Sequence, residues 1–196
     1  EQGLSNYRQL CFDQKALEIR TKDMFLLVSG DLSGIQNFIY TIASTGALKS
    51  LRGRSFYLDM VLEHIVDEIL TALGLNRCNL IYTGGGHFYL LAPNTTETKH
   101  ILDAMKIRCN EWFLSHIGTT LYLEMGYEPC CAANFMEESN AENNQNAFRG
   151  KTGEVFRRLG ERLSRQKLQR YETDQLAAMF NPDSPLNQTI NGKREC

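Results

Sequence analysis

Between Met24 and Met136 the chain switches repeatedly between the hydrophobic period of a strand and that of a helix, and this alternation constrains the fold more than any other feature. The run Met24 to Ser29 is short and apolar and leads into Gly30-Asp31, as a buried strand does when it ends at a turn. Ser33-Gly34 then opens a helical segment through Ile35, Phe38 and Ile39, with Ser33 as its N-cap, and a loop around Ser44 to Gly46 interrupts it. After Arg54, the residues Leu58, Val61, Leu62, Ile65, Ile69 and Leu73 recur at helical spacing until Gly74. Asn79 to Thr83 and Phe88 to Ala92 are β-prone runs separated by Gly84-Gly85-Gly86-His87, the composition of a hairpin loop. Thr95-Thr96-Glu97 starts a second long helix bearing Ile101, Met105, Cys109, Trp112, Phe113 and Ile117, after which Leu121, Leu123, Met125 and Tyr127 alternate as a strand.

The order β-α-β-β-α-β predicts an α+β, ferredoxin-like unit, a four-stranded antiparallel sheet with two helices on one face. It occupies residues 24–136, after a helical lead over 1–23. A polar loop over 137–153, a basic helix over 154–180 and a tail over 181–196 follow. With 42% hydrophobic and 22% charged residues the chain has the composition of a folded globular protein rather than of a disordered one. Its longest apolar runs, Phe25 to Val28 and Phe88 to Ala92, fall far short of the roughly 20 residues of a membrane helix. The first residues carry neither a secretory leader nor an initiator Met, so a cytoplasmic piece of a larger protein is expected.

Net charge is only −2, yet Arg149, Lys151, Arg157, Arg158, Arg162, Arg165, Lys167 and Arg170 cluster against Glu154 and Glu161. Such a run is either a solvated helix face or a nucleic-acid or partner surface, and Arg157, Arg158, Arg162 and Arg165 are the candidates for the latter. Val155, Phe156, Leu159 and Leu163 are expected to pack inward. Cys11, Cys78, Cys109, Cys130, Cys131 and Cys196 show no C-x-x-C spacing, which argues against a disulfide framework or an internal zinc site and predicts mostly buried thiols. Cys196 is the exception, a candidate first half of a metal-binding pair. Asp59, Glu63, Asp67 and Glu68 lie off the apolar stripe of their helix and read as its wet face.

In this topology the end of the first strand and the middle hairpin meet at one edge, so Gly30-Asp31-Leu32-Ser33-Gly34 faces Gly84-Gly85-Gly86-His87. Glycines there let backbone approach a ligand, and amides at the start of the Gly34 helix are available to phosphate. Palm-type polymerases and cyclases use this edge, with a carboxylate after the first strand and others in the hairpin holding two divalent ions around a nucleoside triphosphate. Only Asp31 fits that role. Thr83-Gly84-Gly85-Gly86-His87-Phe88 has Gly86 and His87 where the acidic residues of a Gly-Gly-Asp-Asp turn belong, so no two-metal centre can be completed from this chain.

The segments Gly30-Asp31-Leu32-Ser33-Gly34-Ile35-Gln36-Asn37-Phe38-Ile39-Tyr40 and Ala47-Leu48-Lys49-Ser50-Leu51-Arg52-Gly53-Arg54-Ser55-Phe56-Tyr57-Leu58 resemble the Csm-type large subunit of type III-A CRISPR complexes. The similarity is strong over residues 26–94 and looser through Lys167-Leu168-Gln169-Arg170-Tyr171 to the end. It implies a first, catalytically degenerate palm within a protein that also carries a metal-dependent nuclease domain, a zinc-binding segment beyond Cys196, a second palm with the intact acidic turn, and a helical domain. It further implies that the two palms clasp ATP with magnesium and join it into cyclic oligoadenylate when target RNA pairs with the guide RNA of the complex. Asp31, Ser33 and Gly34 match the family's first loop and Gly84, Gly85 and Gly86 its non-catalytic hairpin, which makes them the candidates for nucleotide contact, and His87 offers a further contact to base or phosphate.

Plainer roles stand beside these: Asp31 and Ser33 as caps, the glycines as turn formers, and Lys49, Arg52 and Arg54 as either phosphate neutralisers or braces of the loop. His64, His100 and His116 lack metal-ligand spacing and read as structural. A purely structural docking module is the alternative function. An autonomous cyclase needs charge stabilisation that the hairpin cannot supply.

Overall fold

In the computed structural model, which describes residues 16–40, 47–136, 147–171 and 173–181, the sequence pattern becomes α1 (Ala16–Arg20), β1 (Phe25–Ser33), α2 (Ile35–Tyr40), α3 (Ala47–Ala72), β2 (Leu80–Gly84), β3 (His87–Pro93), α4 (Thr96–His116), β4 (Tyr122–Cys130), α5 (Ala147–Gln166) and α6 (Thr173–Phe180). The sheet runs β2-β3-β1-β4 with every pairing antiparallel, which is the ferredoxin-like order expected. No helix among the described residues is long and apolar enough to cross a membrane.

Alternation along β1 divides the core. Leu26, Val28 and Leu32 join Phe88, Leu90, Leu123 and Met125 on the face covered by α3 and α4, where Leu62, Val66, Ile69, Leu102 and Phe113 complete the main core. The Gly30 backbone leaves room for Phe88, because a β-carbon there would sit 2.0 Å from the Phe88 ring. On the other face, Leu27 and Cys130 meet Val155, Leu159 and Leu163 of α5, with Phe156 edge-on to Tyr89 at 5.1 Å. The basic segment therefore roofs the second face of the sheet.

Local chemistry sets the boundaries. Thr95 caps α4 by accepting a hydrogen bond from the Thr98 N–H at 3.0 Å, as its sequence implied. Gly74, at φ +64°, ends α3 in a Schellman arrangement: the Leu75 N–H reaches the Leu70 carbonyl at 2.8 Å and the Gly74 N–H reaches Thr71 at 3.0 Å. The outer edge of β4 is closed by Asn110, whose amide both donates to and accepts from the Leu123 backbone at 2.8 Å.

Several elements depart from the expected boundaries. β1 does not stop at Gly30 but continues to Ser33, because ladder pairing persists to Ser33 opposite Tyr122. Ser33 is thus a strand residue and not the helix N-cap. The turn is made by Gly34 at φ +90°, where a β-carbon would lie 1.8 Å from the Thr120 carbonyl oxygen. α3 begins at Ala47, taking in Lys49, Arg52 and Arg54, and Arg54 braces α2 by donating to the Phe38 carbonyl at 2.6 Å. The basic helix starts at Ala147, within the expected polar loop, and ends at Gln166, with α6 separate. Cys130 and Cys131 are buried as expected, and burial pushes the Cys130 thiol up to about 11, but Cys78 is exposed. Cys11, Cys196 and the segment Glu137 to Asn146 lie outside the described residues.

Truncating Leu159, fully buried on the inner face of α5, to Ala is expected to cost about 2–5 kcal/mol in urea unfolding. Leu168→Ala, at a position 85% exposed, should change stability by no more than about 0.5 kcal/mol. Equal effects would show that α5 does not pack on the sheet.

Candidate functional site

The two segments singled out in the sequence do meet. Asp31 is the direct ladder partner of His87, and the Leu32 N–H donates to the Gly86 carbonyl at 2.8 Å, extending the ladder into the hairpin turn. The loop expected over Gly84 to His87 is tighter than foreseen. Gly84 still pairs with His87, and only Gly85 and Gly86 form the turn, with φ of +60° and +87°, the pattern of a type I′ turn that demands positive φ at both positions.

The glycines are not equivalent. A β-carbon on Gly86 would meet only the movable end of the Ile35 side chain, at 2.2 Å, so it is the φ of +87° in the turn that calls for glycine there. Gly85 is exposed and has nothing within 4 Å of where a β-carbon would sit, so this peptide is open to an approaching molecule. Gly34 lies across the same edge, locked under Thr120.

Asp31 points to the α5 face and is only 17% exposed. One carboxylate oxygen accepts a hydrogen bond from the Lys167 ammonium, and the other lies 3.5 Å from His87 Nδ1. Lys167 directly follows α5 and prolongs its hydrogen-bond pattern, its N–H donating to the Leu163 carbonyl at 2.9 Å. Directly opposite Asp31 on β4 stands Glu124, fully buried, one oxygen accepting from Lys106 of α4. Burial holds the Glu124 carboxyl above the usual carboxylate range, against the opposing pull of Lys106, the Met125 N–H and Lys167. The second Glu124 oxygen and the side-chain oxygen of Gln166 are buried without hydrogen-bond partners. Gln166 packs over Gly126, two positions along the same strand face.

Sequence reasoning missed Glu124, Lys106, Gln166 and Lys167. Glu124 falls at a position that alternation assigns to the outer face of β4, and only the roof formed by α5 buries it. The Asp31–Lys167 pair spans 136 residues and has no local signature.

The arginines of α5 are largely met from within the chain. Arg157 pairs with Glu154 at 2.6 Å and Glu161 at 2.5 Å, while Arg158 and Arg162 reach Glu128 at 3.4 and 3.2 Å. Arg165 lines a polar recess of about 390 Å³ with Glu128, Arg158 and Arg162. Three acidic residues of α3 are structural ties: Glu63 and Asp67 hold Arg77, and Glu68 holds Arg108. His116 stacks on Trp112 at 4.7 Å, which fits a structural role. A groove of about 590 Å³ between α3 and α4, lined by Tyr57, Met60, His64 and Trp112 among others, shares no residue with the Asp31 edge. Among the described residues, no three His, Cys, Asp or Glu side chains converge to hold a metal ion.

With this geometry in place, the chain can be compared with known proteins. Residues 24–182 match the family model described as Csm1 subunit domain B. The single-strand-specific deoxyribonuclease Cas10/Csm1 (subtype III-A) of Mycobacterium tuberculosis is 41% identical over 195 residues, covering 99% of this chain and 24% of that protein. Its counterpart in Enterococcus italicus is 38% identical over 199 residues, covering 100% and 24%. The Csm1–Csm4 cassette in complex with AMPPNP superposes with a TM-score of 0.67 at 36% identity, over 78% of this chain and 20% of that one. The cassette in complex with pppApApA gives 0.70 at 35% identity, over 83% and 21%. The chain thus spans about a quarter of the curated relatives, and it belongs to the Cas10/Csm1 family of subtype III-A CRISPR systems, matching its domain B.

Proposed function

We propose that this domain is a degenerate palm supplying one half of an ATP site in the large subunit of a type III-A CRISPR effector, the other half coming from a second palm with an intact acidic turn. The observation that carries this reading is the meeting of the Asp31–Ser33 end of β1 with an open triple-glycine turn. Homologous cassettes, 35–36% identical to this chain, are solved in complex with one ATP, with pppApA and with cA4, which supports a nucleotide-binding role for the protein that carries this domain.

In this reading each residue does a limited job. Gly84 and Gly85 bring backbone close to the nucleotide. Gly34, where the Thr120 carbonyl excludes a β-carbon, and Gly86, held at positive φ in the turn, keep the edge narrow. Ser33 offers a hydroxyl, and half-exposed His87 offers an imidazole to phosphate or base. Asp31 shapes the edge from below. Magnesium accompanying ATP does not fit the donors here, since Asp31 is engaged by Lys167 and Gly86 and His87 bring no carboxylate. Charge stabilisation for phosphodiester formation therefore belongs to the second palm.

The larger assignment extends the proposal to the full-length protein, with family membership as its support. The full-length protein makes cyclic oligoadenylate in the cytoplasm when guide RNA pairs with target RNA, as part of antiviral defence. Arg165 and the outward faces of Arg157, Arg158 and Arg162 are proposed as a surface for RNA or neighbouring subunits. The tail beyond residue 181 leads toward a zinc-binding segment.

Two outcomes test the proposal. The chain alone, incubated with labelled ATP, releases no pyrophosphate and forms no linear or cyclic product; synthesis that Asp31→Ala abolishes would contradict the assignment of chemistry to the second palm. In the full-length protein, Gly85→Val loses close backbone approach, and ATP binding by calorimetry falls at least about tenfold, or 1.4 kcal/mol, with the circular dichroism of the fold retained. Wild-type binding by a folded Gly85→Val protein would place the nucleotide elsewhere.

A further inference from the structure

The Asp31 end of the sheet raises a charge problem that a metal ion solves in acidic palms. Asp31 and Glu124 stand directly opposite on adjacent antiparallel strands, an arrangement that brings β-carbons to within about 4.5–5.5 Å and is unfavourable for like charges. Both are shielded from water, Asp31 at 17% exposure and Glu124 at 0%. Such a pair needs a cation between or beside its members.

Two lysines answer that need, each from a different helix. Lys106 of α4 reaches Glu124 past the edge of β4, and Lys167 at the end of α5 reaches Asp31. His87 stands 3.5 Å from the second Asp31 oxygen and adds positive charge only when protonated. Lys167 is not free to wander, because Leu159 and Leu163 anchor α5 in the sheet and its own N–H continues the helix. We infer that the Lys167 ammonium is a built-in replacement for a divalent cation at Asp31, making this half of the site independent of metal. Removing the ammonium frees the Asp31 carboxylate; on the same sheet face its ladder partner Glu124 has an unpartnered oxygen, and Gln166 has another over Gly126, two positions further along β4. Hard divalent ions take such oxygen sets.

This role rests on the palm reading above for its consequence at a nucleotide, but its test contains no nucleotide and fails separately. Mn²⁺ is titrated into the 196-residue chain and bound ion is read by electron paramagnetic resonance. Wild type and Asp31→Asn are expected to give the same curve. Lys167→Met keeps the aliphatic stem without the charge and gains a site at least about tenfold tighter than any in wild type. The gain disappears in the Asp31→Asn/Lys167→Met double variant, while Lys167→Arg, which restores a cation, behaves as wild type. Lys167→Gln serves if the Met variant does not fold. Wild-type Mn²⁺ binding that Asp31→Asn removes, or a folded Lys167→Met or Lys167→Gln chain that titrates as wild type, overturns the inference.

Discussion

The packing of α5 on the second face of the sheet is the interaction on which the rest of this domain depends. A ferredoxin-like sheet with two helices on one side leaves its other side open. Here Leu27 and Cys130 make the face apolar enough to need a cover, and Val155, Leu159 and Leu163 provide it. Burying each such aliphatic side chain contributes on the order of 1.5–3 kcal/mol. The cover reaches as far as Asp31, through Lys167, and leaves Gly85 of the neighbouring turn exposed.

Electrostatics follows from that cover. Once α5 is docked, Asp31 and Glu124 lie in a medium that solvates charge poorly, and each finds its cation on a different helix. Two partners from α4 and α5 therefore converge on neighbouring positions of β1 and β4, tying both layers to the sheet through its polar end as well as through its apolar middle. In the proposed reading, the lack of carboxylates at Gly86 and His87 and the engagement of Asp31 by Lys167 belong together, since without an acidic turn a free carboxylate at Asp31 has no metal to hold.

Much of this was legible in the sequence, and the rest was not for identifiable reasons. Alternation in Leu121 to Tyr127 and helical spacing in Leu58 to Leu73 disclosed β4 and α3, because both elements bury one regular stripe. The inward set Val155, Phe156, Leu159 and Leu163 was visible for the same reason, and the structure packs it on the sheet. Ser33 was misread as a cap because its hydroxyl suits one, whereas ladder pairing with Tyr122 holds it in the strand. The juxtaposition of Asp31 with His87 came from topology alone. Lys167, Lys106 and Glu124 were invisible to it, since their roles depend on which face α5 covers and on side chains reaching past a sheet edge. No periodicity encodes that.

The central claim, that this palm contributes shape and backbone to a nucleotide site but no metal, is tested most directly by a structure of the full-length protein. The complex to examine contains a non-hydrolysable ATP analogue and Mn²⁺, with anomalous scattering locating the metal. Nucleotide phosphate is expected against Gly84 to Gly86, every metal peak on the acidic turn of the second palm, and Lys167 still on Asp31. A metal peak within coordination distance of the Asp31 oxygens, about 2.0–2.6 Å, with Lys167 displaced, would contradict it.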